Sequence, residues 1–435
     1  MQNKNKSQKW GAVFFAGLLV VAVFAGLVPV KHPTGSLESN GDLAWMLTAT
    51  ALVLLMTPGL SYFYGGMVSK KNIISTLLQS FIALGVISVI WFAVGFSLAF
   101  GESLGGLIGN PLSFMFFNDV GTEPNPKIGN GIPFILFAAF QLKFAIITPA
   151  LITGSMAERI RFYAYIIFMI LFSLMIYSPL AHWTWHPEGF IFKMGVLDFA
   201  GGSVVHISAG IAALVGAIIL GPRKVRGLES ENVNVPYVLL GTGLLWFGWF
   251  GFNAGSALGA NSMAVLAFFN TNLASAGSMM SWILLDAYRG KKPSALGACM
   301  GAVVGLVAIT PAAGYVDPGP SLFIGVVAAI ISNYVVSRKE KLALDDTLDV
   351  FACHGLGGIS GMLLTGIFAK EGGWYIDGNP HLFVMHMLAL LIVLIFVGIG
   401  SFILFKITQA LIPLRVSTEQ EAIGLDLSQH GEGAP

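Results

Sequence analysis

The chain alternates between long apolar runs and short polar loops, and this pattern limits the folds open to it. Charged residues make up only 10% of the chain, against about a quarter in soluble domains. Eleven apolar runs follow residue 40, each long enough, or nearly so, to cross a bilayer as a helix. They lie at about 43–67, 73–100, 131–153, 162–182, 202–221, 236–258, 262–286, 294–311, 320–337, 350–369 and 382–411. The pattern predicts an all-α polytopic membrane protein with eleven transmembrane helices.

The composition also argues against several other classes of protein. A net charge of +1 leaves no basic surface for a nucleic acid. The two cysteines, Cys299 and Cys353, both lie in apolar runs, so we expect buried thiols rather than a disulfide. The sequence contains no CxxC, HExxH, P-loop or nucleophile-elbow motif. We therefore expect no enzyme, no cofactor and no metal site.

The N-terminal residues 1–30 are typical of a secretory signal. Lys4, Lys6 and Lys9 form a basic start, and an apolar stretch follows. Small residues permit cleavage before Gly26. The stretch is also long enough to remain as an additional transmembrane helix, so two interpretations stay open.

The loop charges predict the orientation of the chain. Three basic residues lie in the alternate loops after the first span: Lys127, Lys193 and Lys370. Thirteen lie in the other set: Lys70, Lys71, Arg159, Arg161, Arg223, Lys224, Arg226, Arg289, Lys291, Lys292, Arg338, Lys339 and Lys341. Because cytoplasmic loops are enriched in lysine and arginine, the second set faces the cytoplasm. We expect a multi-pass protein of the cell inner (cytoplasmic) membrane. Its mature N-terminus lies outside, its membrane domain covers 43–412, and its polar tail, 413–435, is cytoplasmic.

Two histidines lie deep in apolar spans, where ionisable residues are costly and therefore informative. His206 follows Asp198 in the fifth span, and His354 follows Asp349 in the tenth. Each aspartate is suited to capping a helix N-terminus, and a glycine stands four residues after each histidine. The two spans run in opposite directions, which predicts a five-plus-five inverted repeat. Such repeats place their site at the midplane between the halves, so we expect the two histidines to meet there.

A pair of neutral histidines suits a small molecule that both donates and accepts hydrogen bonds. A neutral imidazole has one donor and one acceptor nitrogen, and burial disfavours its charged form. Such a pair could coordinate ammonia, or accept a proton from ammonium and relay it. Two alternatives remain: core histidines satisfied by backbone carbonyls, and a metal site, for which no third ligand accompanies the pair.

Four segments resemble the Amt/Mep/Rh ammonium transporter family. Residues 140–150 (FQLKFAIITPA) resemble its third span, 198–206 (DFAGGSVVH) its fifth, 249–256 (WFGFNAGS) its sixth and 349–355 (DVFACHG) its tenth. Their order and spacing agree from about Leu43 to the tail. The microbial and plant Amt branch fits better than the Rhesus branch.

The resemblance implies a set of pore residues. An outer site would recruit the ammonium ion, with residues Phe140, Trp185 and Ser256, and Trp249 nearby. Stacked phenylalanines would gate the pore, here Phe144 and Phe252. The twin histidines would be His206 and His354, and Asp198 would order the outer mouth as a helix cap more than by binding the cation. Family members are homotrimers with one pore per subunit, and many bind a PII-type signalling protein at the cytoplasmic face.

The predicted topology supports the outer site independently. Trp185 ends the fourth span and Ser256 the sixth, so both lie on the outer side. An aromatic face attracts a cation, and a hydroxyl accepts a hydrogen bond from ammonium. For the tryptophans, an interfacial aromatic belt is the alternative.

Lys143 departs from the family pattern, because it precedes the gate residue Phe144 deep in a span. It could lie in a subunit interface, or it could place a positive charge near the pore. We favour the interface. For the whole chain, alternatives to ammonium transport are a channel for urea or water, a nitrogen sensor and an intramembrane enzyme. A urea or water channel would need a polar or wider filter, and the Trp/Ser mouth and the phenylalanine pair argue against one. The short tail argues against a sensor, and the lack of catalytic groups argues against an enzyme.

Overall fold

The computed structural model describes residues 2–27, 30–34, 39–129, 131–224, 234–338 and 344–433. Of the loop residues used for orientation, Arg226, Lys339 and Lys341 lie outside these ranges. Within them the fold is helical, with one two-stranded antiparallel hairpin, β1 (Ser103–Leu104) and β2 (Ile108–Gly109). The all-α class is therefore confirmed.

Twelve long helical segments follow one another along the described ranges. They are α1 (Gln2–Leu27), α2 (Asn40–Gly65), α3 (Lys70–Phe100), α4 (Phe134–Met156), α5 (Phe162–Lys193), α6 (Gly202–Leu220), α7 (Val235–Gly255), α8 (Ser262–Tyr288), α9 (Ala295–Ile309), α10 (Pro318–Val336), α11 (Phe351–Phe368) and α12 (His381–Leu411). Two short helices, Trp374–Asp377 and Thr418–Ile423, precede and follow α12.

Ten helices of the described chain, including the window Lys9–Gly26 of α1, are long and apolar enough to span a membrane. This confirms a multi-pass membrane protein. The two predicted runs without such a helix form α8 and the 15-residue α9. The count of eleven spans, the inverted repeat and the signal segment stay predictions.

Among its described side chains, the N-terminal helix packs on the rest of the molecule at Trp10 and Phe14. The Phe14 ring stacks on Tyr163 with 6.0 Å between centroids, whereas the later side chains of α1 are mostly exposed. The extended segment 30–34 then runs beside residues 118–123, where the Asp119 amide donates to the Lys31 carbonyl over 2.8 Å. Both interpretations of residues 1–30, a cleaved signal and an additional transmembrane helix, stay open.

Close contacts between particular pairs of helices form the core. Helices α2 and α7 pack along their whole lengths, α4 packs against α2, α3 and α6, and α8 packs against α7, α9 and α10. At the centre, α6 and α11 cross and touch each other. The polar tail folds over one end of this bundle, which we call the tail face, and the opposite end is the vestibule face.

Hydrogen bonds hold the tail against the tail face. The Asp426 carboxylate accepts from the backbone amides of Ile74 and Ser75, over 3.0 and 2.7 Å. The Arg415 guanidinium donates to the Pro222 carbonyl over 2.8 Å and pairs with Glu421 at 2.7 Å. These contacts tie the end of the chain to the start of α3 and to the loop after α6.

A buried ion cluster joins three loops on the tail face. Arg223 lies 2.6 Å from Glu158 and 2.9 Å from Asp345, and Arg159 donates to the Asp345 carbonyl over 2.6 Å. Burial raises the pKa of the Asp345 carboxyl, but the hydrogen bonds and charge of Arg223 outweigh it and lower that pKa to about 2. The cluster therefore depends on the ionised carboxylate.

The depressed pKa of Asp345 predicts an acid-sensitive part of the stability. An unfolded aspartate titrates near about 3.9, so the contribution is complete above that pH and is lost as pH falls toward 2. We expect it to be about 2 kcal/mol. Thermal unfolding in detergent at pH 7 and pH 3 should therefore differ less for Asp345→Asn than for the wild type. An exposed carboxylate, changed by Glu371→Gln, is the control; equal pH dependence in all three proteins would contradict the prediction.

Candidate functional site

The central crossing of α6 and α11 depends on glycine. A β-carbon at Gly210 would lie only 2.2 Å from the Gly355 nitrogen, and one at Gly358 would lie 3.0 Å from the Gly202 carbonyl oxygen. No side chain fits at the first contact, so any larger residue would push the helices apart. This contact sets how near the side chains on the two helices can come.

The crossing brings the two predicted histidines together. His206 and His354 both lie in π-helical turns, Gly202–Ile207 and Phe351–Gly355, a feature found frequently at functional sites. Their side chains are buried, and their Nδ1 atoms lie 3.3 Å apart. The expectation that the two rings meet at the centre therefore agrees with the geometry.

A hydrogen bond between two Nδ1 atoms has a definite consequence. One ring must donate and the other must accept. In neutral rings, the donor ring then has an accepting Nε2 and the acceptor ring has a donating Nε2. The Nε2 of His206 is buried and has no hydrogen-bond partner among the described residues. The pair can therefore offer both a donor and an acceptor to a small guest.

A narrow cavity runs beside the histidines. Its volume is about 10 Å³, roughly the space of one water molecule. Apart from the two imidazoles and the Trp249 indole, the lining is hydrocarbon: Met56, Leu60, Phe63, Ile147, Leu151, Leu245, Phe252 and Val303. The path is therefore too narrow and too apolar for a hydrated ion.

Trp249 requires a correction. The sequence predicted it near the outer site, but its ring stacks on His206 with 5.3 Å between centroids, and it lines the histidine cavity. Its Nε1 donates to Thr310 Oγ1 over 2.9 Å. The tryptophan lies on the inner side of Phe252, where its ring meets His206 of α6 and its Nε1 reaches Thr310, directly after α9.

Phe144 and Phe252 separate this cavity from the vestibule face. Their rings stack with 4.2 Å between centroids and 30° between planes. Phe144 lines the vestibule, whereas Phe252 lines the histidine cavity and lies 5.9 Å from the His206 ring. The stacked pair is therefore the boundary between the two spaces.

Above the phenylalanines, a vestibule of about 1020 Å³ is lined by both Trp185 and Ser256. The Trp185 Nε1 donates to the Asp198 carbonyl over 3.0 Å, which fixes the indole. The Ser256 hydroxyl donates to the Phe252 carbonyl over 2.8 Å. Because the serine proton is already used, its oxygen is left as an acceptor. An indole face and a hydroxyl acceptor both favour a cation that donates hydrogen bonds.

The third predicted recruitment residue does not line the vestibule. Phe140 is fully buried and packs edge-on against Phe144 with 4.9 Å between centroids. It therefore supports the upper phenylalanine from behind. Two polar residues that the sequence reasoning missed do line the vestibule, Gln141 and Thr184. The Gln141 Oε1 and the Thr184 Oγ1 are buried without a hydrogen-bond partner among the described residues, so both can accept. Gln141 stands in the 140–150 motif and could have been noticed there.

Asp198 caps the helix that carries His206. Its carboxylate accepts from the amides of Gly201, Gly202 and Ser203 and from the Ser203 hydroxyl, over 2.5 to 2.9 Å. Burial raises the pKa of this carboxyl above its ordinary value, and the hydrogen bonds offset that shift only in part. The carboxylate therefore has a structural role at the vestibule, as the sequence predicted.

Asp346, rather than Asp349, has the position before His354 that Asp198 has before His206, which corrects the pairing of Asp198 with Asp349. Asp346 precedes His354 by eight residues, as Asp198 precedes His206. Its Oδ2 accepts from the amide five residues on, Phe351, over 2.7 Å, as Asp198 accepts from Ser203. Asp349 has a left-handed backbone, φ 58°, and forms the turn into α11. Motif resemblance alone could not separate the two aspartates.

His386 is a further residue that the sequence reasoning missed. It is fully buried on α12, its Nδ1 lies 2.7 Å from the Met362 carbonyl, and its Nε2 accepts from the Leu197 amide over 3.1 Å. The ring therefore ties α11 and α12 to the vestibule loop beside Asp198. No spacing in the sequence relates it to the other histidines.

The capping geometry generates a stability prediction. Replacing Asp198 by Asn puts an amide group against backbone donors, so two of its four hydrogen bonds are lost. We expect the free energy of unfolding to fall by about 2–4 kcal/mol, measured by thermal or denaturant unfolding in detergent. Asp317 begins α10 without a side-chain capping bond and is exposed, so Asp317→Asn is the matched control. Equal stability of the two variants would contradict the capping role.

Comparisons with known proteins agree with this geometry. The Ammonium Transporter Family model matches residues 44–435. An ammonium transporter of Aquifex aeolicus is 46% identical over 429 residues, 97% of this chain and 99% of the relative. The crystal structure of Saccharomyces cerevisiae Mep2 has a TM-score of 0.81 at 35% identity, covering 88% of this chain and 89% of that one. A sensor Amt protein has a TM-score of 0.82 at 31% identity, covering 90% and 98%.

These matches confirm the resemblance of the four motifs, and they extend over almost the whole chain. The relatives are named as transporters, and none of the catalytic motifs sought above occurs in the sequence. This chain therefore belongs to the ammonium transporter family, a family of transport proteins rather than enzymes.

Proposed function

We propose that this chain carries ammonia or ammonium across the cytoplasmic membrane of a microbe. The phenylalanine stack, with 4.2 Å between centroids, supports this most directly, because it closes a wide polar vestibule from a cavity of about 10 Å³ that holds two histidines. A passage of this kind favours a solute that is collected as a cation and crosses as a small neutral molecule.

Recruitment at the vestibule is the first step of the proposed mechanism. The indole of Trp185 attracts a cation with about 1–2 kcal/mol when partly desolvated. The Ser256 oxygen accepts a hydrogen bond, and Gln141 offers a second acceptor. Potassium carries the same charge but has no hydrogen to donate, so the acceptors favour ammonium over potassium through directed hydrogen bonds. Trp249 is excluded from this site and takes a place in the pore.

Deprotonation is the second step. An intact ion in the apolar cavity would cost several kcal/mol or more, whereas ammonia loses little on leaving water. We infer that ammonium releases its proton at or below Phe144 and Phe252, and that His206 and His354 relay it. Because the pair already shares a proton between the Nδ1 atoms, a proton accepted at one Nε2 can leave from the other ring.

Membrane orientation, subunit assembly and a cytoplasmic partner are the remaining parts of the proposal. The vestibule face is external, and the tail face, which carries the basic loops, is cytoplasmic. The subunit works in a lipid bilayer as a homotrimer with one pore per subunit. A PII-type signalling protein that binds the tail face would close the pore from the cytoplasm.

A second candidate function is ammonium sensing, and one observation favours it. The solved structure of a sensor Amt protein matches this chain with a TM-score of 0.82. In a sensor the same vestibule would bind ammonium and change the tail face without net flux. The two functions are separated by whether charge or ammonia crosses the membrane.

Purified protein in proteoliposomes tests the proposal. An ammonium pulse should give a transient current on a solid-supported membrane, whereas equal pulses of potassium or urea should give none. No current with an internal pH change would mean that neutral ammonia crosses without charge. Silence in both assays, with ammonium still bound by the purified protein, would reject transport and favour the sensor.

The histidine pair gives a sharper prediction. His206→Ala or His354→Ala breaks the Nδ1–Nδ1 hydrogen bond and removes one ring from the relay, so each change should abolish the ammonium current. The matched control is His381→Ala, because His381 is exposed at the start of α12. Thermal unfolding and gel filtration should show that all three variants are folded. Wild-type currents in both single variants would reject the relay.

A further inference from the structure

Lys143 lies in α4, and none of the described residues of its own chain is a polar partner for it. Its side chain is half-buried and lines neither the vestibule nor the histidine cavity. No hydrogen bond or ion pair reaches it within the described ranges. Ile135, Ala139 and Leu142 are also exposed or only partly buried, and they lie on the same face of α4 as Lys143. This face points away from the pore.

Lys143 is also too deep to reach water along its own helix. It stands nine residues after Phe134, about 13 Å along the helix axis. The four-carbon stem of a lysine covers less than half of that depth. An ammonium group left in hydrocarbon costs several kcal/mol. The side chain therefore requires a polar partner at the same depth.

Asn272 is another polar side chain that is exposed at a similar depth. It is exposed on α8, beside the exposed rings of Phe268 and Phe269, and no hydrogen bond to its amide is found within the described residues. It stands ten residues after Ser262, about 15 Å along the axis. Its Oδ1 is an acceptor without a donor.

The two residues lie on different surfaces of one subunit. Helix α4 packs against α2, α3 and α6, whereas α8 packs against α7, α9 and α10. In the proposed alternating topology both helices begin at the vestibule face, because three helices separate them. Lys143 and Asn272 are therefore at nearly equal depth on separate outer faces, which is the arrangement that a ring of identical subunits requires.

We propose that the Lys143 ammonium of each subunit donates a hydrogen bond to Oδ1 of Asn272 of the partner subunit. The contact joins two different patches of the subunit and is therefore heterologous, or head-to-tail. In a closed ring, each interface then contains one such hydrogen bond. It rests on the homo-oligomer of the proposed function and assigns to it a specific pair of residues. The pair also explains how a lysine is tolerated next to Phe144 without opposing cation entry.

Cross-linking between differently tagged single-cysteine variants tests the pair. Lys143→Cys and Asn272→Cys are co-expressed, treated with a short bis-thiol reagent that enters the membrane, and separated by tag. We expect a cross-linked dimer that carries both tags, because only an intersubunit link can join them. Wild-type protein is the background control, since its two cysteines are buried.

A matched control uses α12, whose Leu391 is 55% exposed and stands ten residues into its helix. Lys143→Cys with Leu391→Cys should give no two-tag dimer. A dimer of equal yield in this control, or none in the test pair while native gels show an intact oligomer, would overturn the pairing.

Stability of the oligomer gives a second measurement. Lys143→Met and Asn272→Leu remove one partner each, and the double variant removes both. We expect both single variants to dissociate at lower detergent concentration than the wild type, and the double variant to recover part of the loss. Strictly additive losses would overturn the pairing.

The ammonium current separates this proposal from the proposed function. In the same proteoliposomes, Lys143→Met should keep the wild-type ratio of ammonium to potassium response. A changed ratio in an intact oligomer would place the lysine at the pore and overturn the pairing. A protein that carries current as a monomer would overturn the pairing and leave transport standing.

Discussion

The backbone contact between α6 and α11 is the constraint on which the pore depends. Gly210 meets Gly355 where a β-carbon would come within 2.2 Å of a backbone nitrogen, so the two helices cross more closely than a residue with a side chain would permit. Both histidines stand in π-helical turns beside this crossing. A wider separation would break the 3.3 Å contact between their Nδ1 atoms and open the cavity to water.

Polar groups are then distributed in layers along the path. The vestibule holds hydrogen-bond acceptors and an indole face. The phenylalanine pair below it presents only hydrocarbon, and the cavity beneath that pair contains two imidazoles and one indole among apolar side chains. Each layer is positioned from a different helix: Trp185 from α5, Phe144 from α4, and Phe252 and Trp249 from α7. The carboxylates of Asp198 and Asp346 fix the starts of the two histidine-bearing helices. This order of layers is the basis for the proposal that the solute changes from cation to neutral molecule.

Sequence reasoning singled out residues where a residue type in an apolar run was itself unusual or stood in a long motif. His206 and His354 were chosen because ionisable residues are rare in membrane spans, and Phe144, Phe252 and Ser256 because they stand in long motifs; the structure places these five around one path. It failed where neighbouring residues compete for one role. Asp349 was preferred to Asp346, and Trp249 was assigned to the outer site, because spacing along a helix does not give the rotation of that helix. His386 carries no sequence signal, since its partners are backbone groups far away in the chain.

The sequence by itself determined that the chain is helical, crosses a membrane many times and belongs to its family. The lengths of hydrophobic runs and the order of motifs can be read along the chain without knowing which segments touch. Only the tertiary structure decided which face of each helix meets the path. That choice depends on packing: the glycines let α6 and α11 approach, α7 then turns Trp249 toward His206, and α4 turns Lys143 away from both cavities. Side-chain volume and helix rotation act between distant segments, so no local pattern contains them.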